Sequence, residues 1–295
     1  MSLRERLADP NSPDHRPRKA AYALPTLFTA GNILLGYISI LRCIQGAVLA
    51  ATGAAGAAAG HFTVAAQAII AAVVLDGLDG RIARMTNTTS AFGREMDSLA
   101  DVISFGLAPA VLAFVWGVQF IEPLIGEKMR GQIFNAGYLI AFLFLLCGAC
   151  RLARFNVQVN PIPKNPGRPD RKYFVGLPIP AGAAMVAAVV WACDSQPLVW
   201  WPLSVAWLLL LALLGFLMVS TWRYHSFKGI SFSKAYSPLI IILVGGLIYG
   251  LLNYAQLLFL ALAAAYVASG ILIRIGGILR RRLKAAPRPA EIHIA

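Results

Sequence analysis

Asp76-Gly-Leu-Asp79-Gly80-Arg-Ile-Ala83-Arg84 and, beyond a short polar link, Gly93-Arg-Glu-Met-Asp97-Ser-Leu-Ala-Asp101 form the acidic ends of two long apolar runs. If both stretches are helical, Asp76, Asp79, Gly80 and Ala83 fall at i, i+3, i+4 and i+7, which is one helix face. Gly93, Asp97 and Asp101 step by four along a face of the second helix. The link Met85–Phe92 is short and rich in Thr, Asn and Ser, so the two helices should return antiparallel. Their carboxylate faces then meet across a narrow cleft.

Carboxylates beside hydrocarbon are rarely retained without a partner or a task. Grouped aspartates repel one another unless cations sit between them. Ligands that are all oxygen favour the hard divalent cations Mg²⁺, Mn²⁺ or Ca²⁺ over zinc. Two such cations suit phosphoryl transfer, where they neutralise phosphate oxygens and orient the attacking and leaving groups. Gly80, Ala83 and Gly93 leave room on the same faces for a flat group, and Arg84, one turn nearer water, could reach a phosphate. The plainer alternative pairs the acids with Arg81, Arg84 and Arg94 as interfacial ion pairs. That would explain one or two aspartates, not a set interleaved with glycines at helical spacing.

Outward from this stretch the chain reads as a membrane protein. Of its 295 residues, 58% are hydrophobic and only 13% charged, where a soluble domain carries about 25% charged residues. Apolar runs near 27–52, 61–86, 91–120, 133–159, 178–193, 199–221, 236–253 and 256–279 predict eight spans. The expected fold is therefore all-α, a polytopic helix bundle. The Ala/Gly-rich segment 53–60 is either a short outer turn or a continuation of the first span. A net charge of +13 could suggest nucleic acid, but all the basic residues except Arg42, Lys128 and Arg130 fall on one side of the predicted bundle. The positive-inside rule puts that side, both termini and the aspartates in the cytoplasm, against an anionic lipid surface rather than nucleic acid. Residues 1–20 and 284–295 are expected to be disordered basic tails around one membrane domain at 21–283, with no cleavable signal peptide. The four cysteines are Cys43, Cys147, Cys150 and Cys193; Cys147 and Cys150 form a C-x-x-C inside an apolar run with no other thiols nearby, expected to pack between helices rather than to form a redox or zinc site.

The acidic residues match, position for position, the pattern D-x2-D-G-x2-A-R-x8-G-x3-D-x3-D of the CDP-alcohol phosphatidyltransferases. The chain is identified as a member of that family, whose members transfer a phosphatidyl or similar group from a CDP-linked donor to an alcohol and release CMP. The resemblance implies that Asp76, Asp79 and Asp97 hold the metals, and that Asp101 completes the site and acts as general base. It implies that Gly80, Ala83, Arg84 and Gly93 contact the CDP moiety. It also implies two Mg²⁺ or Mn²⁺ ions, a six-helix catalytic core with two C-terminal spans added, a homodimer, and a place in the cell (inner) membrane.

Further segments narrow the acceptor. Leu24-Pro-Thr-Leu-Phe-Thr-Ala-Gly-Asn32, Val102-Ile-Ser-Phe-Gly-Leu-Ala-Pro-Ala110, Cys147-Gly-Ala-Cys-Arg-Leu-Ala-Arg-Phe-Asn156 and Tyr173-Phe-Val-Gly-Leu-Pro-Ile-Pro-Ala-Gly182 resemble the bacterial, membrane-embedded, serine-using branch. That likeness runs from about residue 20 to 255. It implies CDP-diacylglycerol and L-serine as substrates and phosphatidylserine as product, rather than glycerol 3-phosphate, inositol phosphate or choline as acceptor. A cation transporter fits less well, because the acids cluster at one edge and not at the bilayer midplane. Arg151 and Arg154 could hold the serine carboxylate or the donor phosphates, or be snorkelling anchors. Thr29 and Asn32, level with the aspartates, either touch the nucleotide or cap a helix. Arg42 lies about 15 Å deeper along its helix, with no partner evident. His15, His61, His225 and His293 are scattered and no H-x-K-x4-D pattern occurs, which excludes the covalent-histidine route of the phospholipase-D-like enzymes.

Overall fold

The computed structural model describes residues 19–86, 91–159, 173–225 and 238–284. Helices α1 (Lys19–Ala51) and α2 (Ala55–Thr86) come first. Helix α3 (Ala91–Asp101) runs through a π-helical turn, Val102–Leu107, into α4 (Ala108–Gly117). Helix α5 (Glu127–Val159) follows a 3-10 turn at Pro123–Ile125, and α6 (Ile179–Ala192), α7 (Trp201–Val219), α8 (Pro238–Asn253) and α9 (Ala255–Lys284) complete the bundle.

Each predicted span corresponds to a helix or, for the third, to α3 and α4 joined by the π turn. Among the described residues, six segments are long and apolar enough to cross a membrane, which makes this a multi-pass membrane protein. Helices α6 and α8 are shorter, at 14 and 16 residues. The all-α expectation needs one addition. Strands β1 (Tyr173–Val175) and β2 (Arg223–His225) pair antiparallel, with Phe174 opposite Tyr224. Of the predicted tails, residues 1–18 and 285–295 lie outside the described residues, while Lys19 and Ala20 open α1 and Lys284 closes α9 as helix rather than tail.

The first two helices form a hairpin whose turn is readable residue by residue. Gly53, at φ +83°, ends α1 in the left-handed conformation. Its N–H donates to Ala50 O (3.2 Å) and that of Ala54 to Leu49 O (3.0 Å), the paired bonds that satisfy the last carbonyls of a helix. Helix α2 starts at once, so most of segment 53–60 belongs to the second span and neither extends the first nor forms an outer loop. Along the hairpin Gly46 lies against the Phe62 ring and Gly31 against Leu75. This antiparallel register carries Thr29 to Asp79 and Arg42 to His61.

Helix α1 also seats on the π turn. Ser104 Oγ donates to Asn32 O (2.8 Å), and a Cβ on Gly36 would lie 2.6 Å from Ser104 Oγ and 2.9 Å from Ser104 Cα. Such turns carry an unpaired step in the helix ladder and recur at functional sites; this one begins directly after Asp101. Gly36→Val is expected to cost about 1–3 kcal/mol, since the backbone of the turn must give way. A lowered thermal midpoint in detergent would show it, and an unchanged midpoint would mean that α1 does not press on the turn.

The core includes Phe62, Phe105, Leu112, Trp116, Phe144, Leu177 and Ile179, all buried. Trp207 donates its indole N–H to Ala113 O (2.9 Å) and packs edge-on to Trp116. The outer faces are apolar as well: Leu34, Tyr37, Leu41, Ile44 and Val48 of α1 are exposed in a continuous stripe. A helix that is hydrophobic all round belongs in lipid.

Candidate active site

Asp76 and Asp79 sit near the C-terminal end of α2, and Asp97 and Asp101 on α3. One carboxylate oxygen from each of Asp76, Asp97 and Asp101 lies within 4.8 Å of the other two. Asp79 lies within electrostatic reach of Asp76 and Asp97. Its Oδ2 accepts a hydrogen bond from Thr29 Oγ1 (3.1 Å), while its Oδ1 is buried without a hydrogen-bond partner. The Oδ1 of Asp101 is in the same condition, and both residues are at least nine-tenths covered, with 8% and 9% exposure. Buried carboxylate oxygens that lack donors are what a hard cation would satisfy. The donor set therefore fits a divalent metal, with Asp76, Asp97 and Asp101 as its nearest group and Asp79 beside them.

The groove next to these acids is lined by backbone. Gly77 and Gly80 are exposed, Gly93 is half-buried, and a Cβ at Gly77 would meet nothing within 4 Å. Ala83 and Arg84 continue α2, but their side chains lie outside the described residues. Arg81 and Arg94, offered as ion-pair partners by the plainer reading, are exposed. The guanidinium within electrostatic reach of Asp101 is that of Arg151, from α5, whose Nε is buried and without a hydrogen-bond partner.

The structure separates the two arginines that the sequence grouped. Arg154, three residues on, directs both terminal nitrogens to Val219 O (3.4 Å each), the last residue of α7. A cation at a helix C-terminus meets unsatisfied carbonyls and the negative end of the helix dipole. The helix-capping alternative for Thr29 and Asn32 is overturned, because α1 begins at Lys19 and both residues are well inside it. Thr29 holds Asp79, and Asn32 is 2% exposed with its Oδ1 unpartnered and its carbonyl held by Ser104. Arg42 gains partners that the sequence did not identify: its Nη1 reaches Gln45 Oε1 (3.3 Å) and His61 Nδ1 (3.4 Å). A guanidinium only donates, so His61 accepts there. The four cysteines are free.

Four residues near the site were missed. Ser104 locks the turn after Asp101, and Asn156 Nδ2 donates to Ser98 Oγ (2.8 Å), tying α5 to α3. Tyr266 of α9 lies within electrostatic reach of Arg151, and Tyr224 of β2 stacks beside it with ring centroids 5.7 Å apart. Burial, and secondarily the neighbouring Tyr266, push the Tyr224 phenol up to about 12.

Known proteins share this arrangement's sequence. The family model described as CDP-alcohol phosphatidyltransferase matches residues 22–222, which takes in all four aspartates and Arg151. A CDP-diacylglycerol–serine O-phosphatidyltransferase of Helicobacter pylori (strain ATCC 700392 / 26695) is 37% identical over 227 residues, 77% of this chain and 81% of that protein. The Saccharomyces cerevisiae protein of the same name is 38% identical over 161 residues, 54% of this chain and 50% of the relative. An archaetidylserine synthase of Methanothermobacter thermautotrophicus is 36% identical over 170 residues, 56% and 57% of the two chains. With the matched segment spanning the acidic helices and most of the bundle, the chain belongs to the CDP-alcohol phosphatidyltransferase family.

Proposed function

We propose that the protein transfers the phosphatidyl group of CDP-diacylglycerol to the hydroxyl of L-serine, giving phosphatidylserine and CMP. The observation that carries this reading is the meeting of Asp76, Asp97 and Asp101 between two membrane helices. The similarity to proteins named as serine-using synthases supports the choice of acceptor.

Asp76, Asp79, Asp97 and Asp101 would hold two divalent cations, Mg²⁺ or Mn²⁺. When bound, these supply positive charge to the pyrophosphate oxygens of the donor. Thr29 fixes the Asp79 carboxylate in orientation. Gly80, Ala83, Arg84 and Gly93 receive the CDP moiety, where missing or small side chains let it lie against backbone, and Asn32 offers an unpartnered oxygen nearby. Asp101 takes the proton of the serine hydroxyl. The hydroxyl oxygen forms the new bond to the β-phosphorus as the bond from that phosphorus to the bridging oxygen breaks, and CMP leaves with that oxygen. Arg151 offers its guanidinium to the serine carboxylate or to the donor phosphates.

The site lies at a bilayer edge because one substrate is a lipid and the other is soluble. In this reading all eight segments cross the cell (inner) membrane as one domain over 21–283, both termini and the site face the cytoplasm, and two copies associate. Purified protein given CDP-diacylglycerol and Mn²⁺ or Mg²⁺ should release CMP with L-serine and stay near background with glycerol 3-phosphate, inositol phosphate or choline. Release with one of those alcohols in place of serine would keep the chemistry and overturn the acceptor. Cation flux across vesicles with no CMP release would overturn both.

A further inference from the structure

The hairpin of α1 and α2 carries a charge that the acidic site does not use. Arg42 Nη1 donates to Gln45 Oε1 (3.3 Å) and to His61 Nδ1 (3.4 Å). Neither acceptor carries a negative charge, and Arg42 forms no ion pair among the described residues. The two hydrogens of Nη1 are engaged in this way, whereas the edge formed by Nε and Nη2 has no hydrogen-bond partner among the described residues. Through such an edge a guanidinium binds a phosphate by two parallel N–H···O bonds. With Nδ1 accepting, the His61 hydrogen sits on Nε2, which makes that nitrogen a further donor.

The hairpin holds this group at one level. Gly46 lies against the Phe62 ring, where a Cβ would come within 2.8 Å of Cε1, and this close register brings Arg42 to His61. Gln45 and His61 each lie about 9 Å from the hairpin end of their helix, and the aspartates sit towards the other end of α2. Both helices contain candidate membrane spans, Leu27–Ala51 and Gly56–Arg81. The guanidinium therefore stands just under the headgroup layer of the leaflet opposite the acids, where a charge without a counter-ion is costly.

The surrounding surface says which anion fits. Gln45 is exposed, and Leu41, Ile44 and Val48 beside it on the same helix face are exposed as well. A free anion gains nothing from an apolar stripe, while a phospholipid has acyl chains to lie along it and a phosphate to offer at this depth. A second copy of the chain is a poorer occupant, because a two-fold contact through this face would bring Arg42 against its own counterpart.

We propose that Arg42, Gln45 and His61 form a binding site for the phosphate of an anionic phospholipid, in the leaflet opposite the aspartates and separate from the substrate site, with the acyl chains along Leu41, Ile44 and Val48.

Cross-linking from within the stripe tests this locally. Protein carrying Val48→benzoylphenylalanine is placed in nanodiscs of phosphatidylcholine with a minor share of phosphatidylglycerol and irradiated. The lipid attached to residue 48 should be enriched in phosphatidylglycerol about fivefold over the bulk ratio, as expected for one well-placed cation. Adding Arg42→Gln should return the attached lipid to the bulk ratio. Arg42→Lys keeps the charge but not the planar fork, and should retain less than half of the enrichment. Inorganic phosphate in the buffer should leave the enrichment unchanged, and both variants should keep the parental thermal midpoint in lipid-free detergent. Four results would each overturn the site: a bulk ratio in the parent protein, enrichment that survives both Arg42 substitutions, enrichment abolished by inorganic phosphate, or cross-linked dimers in place of lipid adducts.

Discussion

Asp101→Asn should abolish serine-dependent CMP release. Loss of a positioned general base alone removes about 10²–10⁴ in rate, and the same change withdraws one of the three carboxylates that meet at the site. The substitution is mild for the fold. Residue 101 has ordinary helical backbone angles, φ −60° and ψ −42°, and asparagine keeps the size and shape of the side chain. The locked turn that follows it is held by Ser104 and Gly36, not by the carboxylate. Binding of CDP-diacylglycerol, followed by titration of the purified variant, should therefore stay near the wild-type value. A variant that turns over at a near-normal rate would show that another group accepts the proton. One that binds no donor would show that Asp101 serves binding first.

Complete chelation should be as damaging. Three carboxylate oxygens within 4.8 Å of one another, with Asp79 alongside, repel strongly at the reduced effective dielectric of a partly buried cleft. Treatment with EDTA is expected to bring CMP release to background, and excess Mn²⁺ or Mg²⁺ to restore it; monovalent salt should not. Asp76→Ala and Asp97→Ala should shift the cation concentration needed for half-maximal activity upward by tenfold or more, or eliminate activity. Activity that survives exhaustive chelation would remove the basis for assigning these aspartates to phosphoryl transfer.

Much of this was readable before any coordinates. The apolar runs located the helices, because hydrocarbon on all sides leaves the backbone few alternatives to a helix, though several ends differ by five to eight residues. The acidic cluster was readable because steps of three and four return to one helix face. Other features left weaker traces. Hydropathy starts the first span at 27, but α1 begins at Lys19, because Lys, Ala and Leu extend a helix well beyond the lipid-like stretch. That shift moved Thr29 and Asn32 from a helix cap to the interior. The π turn widens the helix by a fraction of a residue and has no compositional signature. Arg151 and Arg154 share a broad face, but an offset of three residues leaves them about 60° apart at 3.6 residues per turn, enough to send one to Asp101 and the other to the end of α7. Tyr266 looked like any aromatic in an apolar run. Its ring contact with Tyr224 depends on a ribbon of three-residue strands, too short for alternation to reveal.

The order in which the chain is made adds a consequence to the hairpin formed by α1 and α2. Thr29, Asp76, Asp79, Asp97 and Asp101 all lie within the first 101 residues, so the acidic cluster can assemble once that stretch has cleared the ribosome, while later segments are still being threaded into lipid. Arg151 arrives later, with α5. A nascent chain would then own its acidic cluster before the guanidinium that comes within electrostatic reach of Asp101 has been made.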